Sequence, residues 1–366
     1  CGHAVSFSVS FSFVLLVSMH IFNDDLDHDF LFDDRYDSDN DNDGMLFEDG
    51  DAYALEDLLR LVQQQDPMDD ISPEYVLAAT PFTCDEEALI WGVSILCQSS
   101  LGRAMAFDAR FEDWSLEVDD IDDGHPIIDP QLRILILPRG TPSVGVLSKS
   151  YHDRLQFLTN LARGLRMIWQ DMNGVRTRND LSADDQIFFE RLRRADMDIM
   201  TLRMFWDLRD SGFASLWRGM IAGSLGDVAV AASDFWDHES FPAGLAQTFL
   251  TWMGSDHLLA ECDNRTLDDM DTRLQRSIHD VCGIAMLTGD DVLNISRLPE
   301  GGSYLAPLAR TLCYMPEFRH VPDPVNDAHL RQILEECAEM MMPSLVFRDS
   351  ELERKIFPNR IIDTLA

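Results

Sequence analysis

A long amphipathic pattern between Tyr151 and Asp171 constrains the fold of this chain most strongly. Apolar residues recur there at spacings of three and four, which places them on one face of a helix. They are Leu155, Leu158, Ala162, Leu165 and Trp169. A neighbouring stripe of the same helix consists of Gln156, Asn160, Arg163, Met167 and Gln170. The sequence therefore predicts a helix of about six turns that packs on a core through its apolar face.

A second, longer helix is predicted from Ser182 to Ser211, and Gly212 ends it because glycine readily adopts the conformation that follows a helix. Its apolar seam repeats with the same helical spacing. The seam consists of Phe188, Leu192, Ala195, Ile199, Leu202 and Trp206. Asp196 lies beside this seam, so a carboxylate is predicted close to the interior.

Shorter patterns precede these two helices. Helical spacing covers residues 55–62, and a second helix is predicted over residues 85–101. Residues 114–118 alternate as a strand, residues 132–137 have the apolar composition of a buried strand, and residues 145–147 are predicted as a short edge strand. Helices, then strands, then long helices predict an α+β fold with a mainly helical C-terminal region.

Composition divides the chain into three predicted parts. Residues 1–51 form an apolar, leader-like run followed by an acidic linker, residues 52–212 form the α+β domain, and residues 213–366 form the helical C-terminal region. No internal repeat is evident.

The segment from Leu158 to Gln170 resembles the active-site helix of a zincin that lacks the metal-binding and catalytic side chains. In zincins this helix carries H-E-x-x-H, in which two histidines bind zinc and the glutamate activates a water. The three corresponding positions here are Arg163, Gly164 and Met167, and Trp169 and Gln170 follow them. With these flanking residues the chain resembles a bacterial family of putative metallopeptidases of otherwise unknown function. The resemblance implies a minimal zincin-like core of helix, short mixed sheet and active-site-type helix.

The resemblance also implies which residues would be vestigial. Gly164 stands at the catalytic position, and Arg163 and Met167 stand at the positions of two metal ligands. The third ligand would come from the next helix, where Asp196 is the main candidate and Glu190 a weaker one. Zinc is the metal expected in intact members, whereas this chain is expected to hold none. The stripe that carries Arg163 should face a cleft, and Arg163 should lie near Asp196 or Glu190 and replace the charge of the metal.

Three functions stay open at this point. The first is a catalytically inactive pseudo-peptidase that uses the remnant cleft to bind a peptide or a protein. The second is an active zinc-dependent peptidase with unrecognised ligands, which the absence of H-E-x-x-H disfavours. The third is a plain helical interaction protein. The chain contains no G-x-S-x-G motif and no phosphate-binding glycine loop, so neither an α/β-hydrolase nor a nucleotide-binding fold is indicated.

The N-terminal region permits two further hypotheses. Residues 4–22 form an uncharged run that would suit a signal or a membrane anchor, although a basic flank and a cleavage site are lacking. Asp39, Asp41 and Asp43, followed by Gly44, match the opening of a calcium loop. Gly50 occupies the twelfth position, where such a loop has glutamate, and the acidic tract favours a solvated linker over a calcium site.

Charge and cysteine usage bear on partners and location. The chain has 65 acidic and 29 basic residues, a net charge of −36 that disfavours nucleic acid and anionic membranes as partners. Seven widely spaced cysteines favour free thiols in a reducing compartment. They are Cys1, Cys84, Cys97, Cys262, Cys282, Cys313 and Cys337. We therefore predict a cytoplasmic protein, or a secreted or anchored one if residues 4–22 are a signal.

Overall fold

A computed structural model of the 366-residue chain describes residues 52–64, 72–121, 124–238, 240–277 and 281–341. The fold is α+β, as predicted: a small mixed sheet is followed by a helical C-terminal region. The strands are β1 Tyr53–Ala54, β2 Ser115–Asp119, β3 Ile127–Asp129 and β4 Ile134–Pro138. The hypothetical calcium loop and the apolar run lie outside the described residues.

The helices account for most of the described chain. They are α1 Leu55–Gln64, α2 Pro73–Ala79, α3 Asp85–Leu96, α4 Ser100–Phe111, α5 Val144–Leu147, α6 Tyr151–Met172, α7 Ala183–Asp210, α8 Ala214–Ala222, α9 Gly226–His238, α10 Phe241–Met253, α11 Asp256–Arg276, α12 Gly289–Ile295, α13 Ala309–Leu312 and α14 Pro324–Met341, with one 3₁₀ turn at Pro316–Phe318. No helix in the described part of the chain is both long and apolar enough to span a membrane.

The strands are ordered β1-β2-β4-β3. β2 and β4 pair in parallel, with Leu116 opposite Leu135, whereas β1 and β3 run antiparallel to their neighbours at the two edges. Leu116, Leu135 and Leu137 are fully buried. β4 is apolar at four successive positions because it lies between two strands and under a helix. The sheet thus supplies a flat apolar surface on which α6 packs.

Two predicted elements are wrong in detail. Residues 145–147 are not a strand but belong to the single helical turn α5, which follows Ser143. The helix predicted over residues 85–101 is two helices, because Ser99 starts a new one by accepting a hydrogen bond from the Gly102 amide (3.3 Å). α2 was missed, although Ser72 and Pro73 give it a standard N-terminal signal.

The two long helices agree with prediction. α6 begins after Ser150, whose hydroxyl accepts a hydrogen bond from the Asp153 amide (3.3 Å). α7 ends before Gly212, which has a φ of 99° that favours glycine. All six residues of the predicted seam of α7 are buried. Both helices therefore form where the periodicity places them.

Contacts divide the chain into two compact units, and neither is a continuous segment. The first contains the described residues up to Arg176, together with Leu192–Ser255 and Thr288–Phe318. The second contains Thr177–Arg191, Asp256–Leu287 and the described residues from Arg319 onward. The sheet and α6 belong to the first unit. The domain boundary proposed at residue 212 stays a prediction.

The second unit has a small core of its own. It is formed by Ala183, Ile187, Leu267, Met270, Val281, Leu330, Ile333 and Cys337. Cys337 is bonded to Cys282, so the prediction of free thiols is wrong for these two residues. Their spacing of 55 residues gave no sign of the bond, because the fold alone brings the two segments together. The thiols of Cys84, Cys97, Cys262 and Cys313 are not part of a disulfide, as expected.

Candidate functional site

The stripe of α6 that was expected to line a cleft is largely buried. Asn160, Arg163 and Gln170 are no more than 5% exposed, Met167 is half-buried, and only Gln156 is exposed. The prediction of an open cleft over this stripe is therefore wrong for three of its five positions. The cause is that α6 is covered on one side by the sheet and contacts α7 on another.

Gly164 lies at the closest approach of α6 to the sheet. A Cβ atom on this residue would lie 2.5 Å and 2.7 Å from the two terminal methyl carbons of Leu135 on β4. These distances are shorter than van der Waals contact, so any larger residue would displace Leu135 or the helix. Gly164 thus allows close packing, and its position points towards the sheet.

Arg163, at the first position that was predicted to be a vestigial metal ligand, forms a buried ion pair with Asp198 of α7. Its Nε donates to Asp198 Oδ1 over 2.7 Å, and the two side chains are 7% and 1% exposed. Asp198 is also approached by Arg194 Nε (3.4 Å) and accepts a hydrogen bond from Trp252 Nε1 (3.0 Å). The carboxylate is therefore surrounded by donors from three helices.

Asp196 is the centre of a separate, fully buried network. It accepts two hydrogen bonds from Arg166, at 2.6 Å and 2.9 Å. Gln170 Nε2 donates a third bond (2.7 Å), and the hydroxyl of Tyr304 a fourth (3.0 Å). Arg166 also donates to the carbonyl oxygens of Ile295 and Arg297, which fixes the loop after α12. Protein donors thus occupy all of the hydrogen-bond acceptor positions of the carboxylate.

The predicted pairing of Arg163 with Asp196 is wrong, because Arg163 is paired with Asp198 and Asp196 is bound by Arg166. The alternative pairing with Glu190 stays a prediction. The contacts form an antiparallel ladder in which Arg163 reaches Asp198, Arg166 reaches Asp196, and Gln170 reaches the Arg193 carbonyl. Periodicity identifies the faces of two helices but not their relative register, and the register decides which pairs form. Glu190 is half-buried in the second unit.

The electrostatics of the two networks differ. Burial by itself would raise the pKa of Asp198, but the charges of Arg163 and Arg194 and the hydrogen bonds from Trp252 and Arg163 together lower that pKa below its usual range. Burial raises the pKa of Tyr304 well above its usual range, and the adjacent Asp196 charge raises it further. At neutral pH Asp198 is therefore ionised and the Tyr304 hydroxyl is neutral.

The residues at the three positions that were predicted to be vestigial do not fit a catalytic zinc ion. Such a site needs three protein ligands and one open position. Arg163 is a cation, Gly164 has no side chain, and a thioether such as that of Met167 is a poor zinc ligand. Asp198, the carboxylate that faces Arg163, is already neutralised by two arginines. No group of three histidine, cysteine or acidic side chains suited to a metal occurs among the residues that the structure describes.

The comparisons with known proteins point to one family. Residues 146–306 match the model of the "Putative metallopeptidase family (DUF6782)". This segment is similar to that family. It begins just before α6 and extends through α7 to Tyr304, so it contains both buried networks, but it covers less than half of the 366 residues. No curated protein and no solved structure matches the chain.

Sequence reasoning missed several residues that build this region. Arg166, Asp198 and Trp252 all contribute to the two networks, yet none was singled out. Asp198 carried a usable signal, because an acidic residue on the second long helix two positions from the candidate ligand Asp196 is a natural alternative. Trp252 carried no such signal, since it is distant in sequence from both helices.

Proposed function

We propose that this protein is a non-catalytic relative of the metallopeptidases in the matched family, and that it binds an extended segment of a peptide or a protein. The ion pair between Arg163 and Asp198 carries the proposal. It occupies the position where the first metal ligand would stand, and it fixes a positive charge beside a buried carboxylate. A zincin-like arrangement of α6 and the sheet is part of the same proposal.

Two features support the loss of catalysis. The cation at position 163 repels a metal ion, and its removal would leave a buried carboxylate with fewer donors. The packing of Gly164 against Leu135 leaves no space for a glutamate side chain that could activate water. The residues that stand in place of the catalytic ones, Arg163 and Gly164, are therefore buried and packed rather than exposed on the surface.

A sheet edge beside α6 supports the binding function. β3 is the last strand of the sheet, and among the residues described no strand pairs with its outer side. An edge strand offers unpaired amide and carbonyl groups to which an extended segment can add as a further strand. α6 packs against β3, and Asn160 holds the preceding loop by donating to the Gly124 carbonyl (3.1 Å). The edge is therefore held in place.

Metal content and hydrolysis test the catalytic part of the proposal. Protein purified without chelator should contain far less than one zinc per chain and should not hydrolyse unstructured casein peptides, with or without added zinc. Tightly held zinc in stoichiometric amount, or hydrolysis that a chelator abolishes, would favour the alternative of an active peptidase with other ligands.

Hydrogen exchange tests the binding part. The same casein peptides, added in excess, should slow exchange of the amides of β3, while the amides of β2, which lies between two strands, serve as an internal control. Binding of peptides with no protection of residues 127–129 would place the site elsewhere. Absence of any binding would favour the plain helical interaction protein.

A further inference from the structure

A disulfide joins two segments of the second unit that also share its small core. Cys282 lies near the start of a short extended segment, and Cys337 lies on the buried face of α14. The Cα atoms of the two cysteines are 5.3 Å apart, and 55 residues separate them in sequence. The bond therefore ties the end of α14 to a segment that is distant along the chain.

The extended segment, residues 281–287, is weakly packed between its ends. Val281 and Leu287 are buried, but Ile284 and Met286 are 79% and 66% exposed. Ala285 exchanges two backbone hydrogen bonds with Asp180 and Ser182, and Gln186 donates to the Val281 carbonyl. Because the side chains in the middle bury little apolar area, the disulfide is a major part of what holds this segment.

We propose that the bond between Cys282 and Cys337 is a redox-sensitive clamp on the second unit, opened and closed by exchange with a low-molecular-weight thiol. The inference is independent of the proposed peptide-binding function, which concerns the first unit. In the closed state α14 and residues 281–287 are joined covalently. In the open state, among the residues described, three hydrogen bonds join residues 281–287 to residues 180–186, and the packing of the small core holds the segment against α14.

The chemistry is ordinary thiol–disulfide exchange. A thiolate of the small thiol attacks the Cys282 sulfur, forms a mixed disulfide with it, and releases Cys337 as a thiolate, which takes up a proton. A second small-molecule thiolate then attacks the sulfur of the mixed disulfide that belongs to the small molecule. It leaves Cys282 as a thiol and yields the oxidised small-molecule disulfide. The reverse sequence, with that disulfide as oxidant, closes the clamp.

The difference in burial between the two cysteines determines which sulfur the small thiol attacks. Cys282 is half-buried, whereas Cys337 is 7% exposed and packed in the core with Leu330 and Ile333. A thiolate needs access to the sulfur that it attacks, so the mixed disulfide should form on Cys282. Cys337 is then the cysteine that closes the ring again, since the fold keeps it near its partner.

Glutathione buffers of graded thiol-to-disulfide ratio test the proposal on the full chain. After equilibration, alkylation and mass analysis should show the Cys282–Cys337 pair passing reversibly from oxidised to reduced. Transient glutathione adducts should map to Cys282. If the pair stays oxidised in all glutathione buffers, the disulfide is a static structural bond. If both thiols are alkylated in every buffer, the disulfide never forms. Either result overturns the clamp.

Proteolysis gives a conformational measurement of the same equilibrium. Chymotrypsin should cleave within residues 281–287 roughly tenfold faster or more in the reduced protein than in the oxidised protein. Cys282→Ser should show the fast rate in every buffer. Cys262→Ser, on α11 of the same unit, is the matched control and should keep the redox response. Equal rates in oxidised and reduced protein would refute the clamp.

Discussion

Replacing Arg163 by methionine tests whether the buried ion pair stabilises the first unit. Methionine keeps much of the apolar stem of arginine, so the change mainly removes the charge and its donors. Asp198 is 1% exposed and would keep only Arg194, at 3.4 Å, and the hydrogen bond from Trp252. Loss of one partner of a buried pair costs about 3 to 5 kcal/mol when the other is left unpaired, so the two remaining donors reduce the expected loss to about 2 to 3 kcal/mol.

Equilibrium unfolding in urea measures this loss. Arg60→Met is the matched control, because Arg60 and its partner Asp57 form an ion pair whose side chains are 59% and 61% exposed. Surface pairs of this kind contribute well below about 1 kcal/mol. A loss at Arg163 no larger than that at Arg60 would refute the claim that the pair holds α6 and α7 together.

The pH dependence gives a second check with a definite sign. The lowered pKa of Asp198 means that its contribution to stability is present above the pKa of an unfolded aspartate, about 3.9, and is lost as the pH falls through the lower, folded pKa. Without Arg163 that folded pKa rises, because burial then acts against fewer positive charges. The loss in the free energy of unfolding of the Arg163→Met variant should therefore be largest at neutral pH and should become smaller towards pH 4. A deficit independent of pH would contradict this reasoning.

Four further predictions follow from the same region and from the N-terminal segment. Gly164→Ala should destabilise the protein by about 1 to 3 kcal/mol in urea unfolding, although alanine ordinarily favours a helix by about 1 kcal/mol, and the same change made in a Leu135→Ala background should cost much less than it does in the parent chain. Tyr304→Phe should cost about 0.5 to 1.5 kcal/mol, since Asp196 retains its bonds from Arg166 and Gln170, and a neutral effect would show that the hydroxyl does not matter. Arg163→His, Gly164→Glu and Met167→His together should bind zinc only if Leu135→Ala accompanies them, with Asp198 as the nearest carboxylate; zinc analysis of the folded variants decides this. If Asp39, Asp41 and Asp43 bind calcium, then calcium but not magnesium should slow proteolysis of residues 39–50.

The sequence by itself determined the elements of this fold. Spacings of three and four residues located α6 and α7 almost to their ends, and apolar runs located β2 and β4, because helical and strand periodicity is a local property of the chain. Local signals were overlooked where they were short. Ser99 starts a second helix within a continuous apolar pattern, and α5 is too short to have a period of its own.

Only the tertiary structure decided which residues meet. The sequence marked Arg163 and Asp196 as noteworthy, yet the antiparallel register of α6 and α7 pairs Arg163 with Asp198 and gives Asp196 to Arg166. The tertiary structure also places Gly164 against Leu135 and brings Cys282 to Cys337. These contacts depend on how helices pack on a sheet and on one another. Such packing is set by the volumes and charges of residues far apart in the chain, and no local pattern records it.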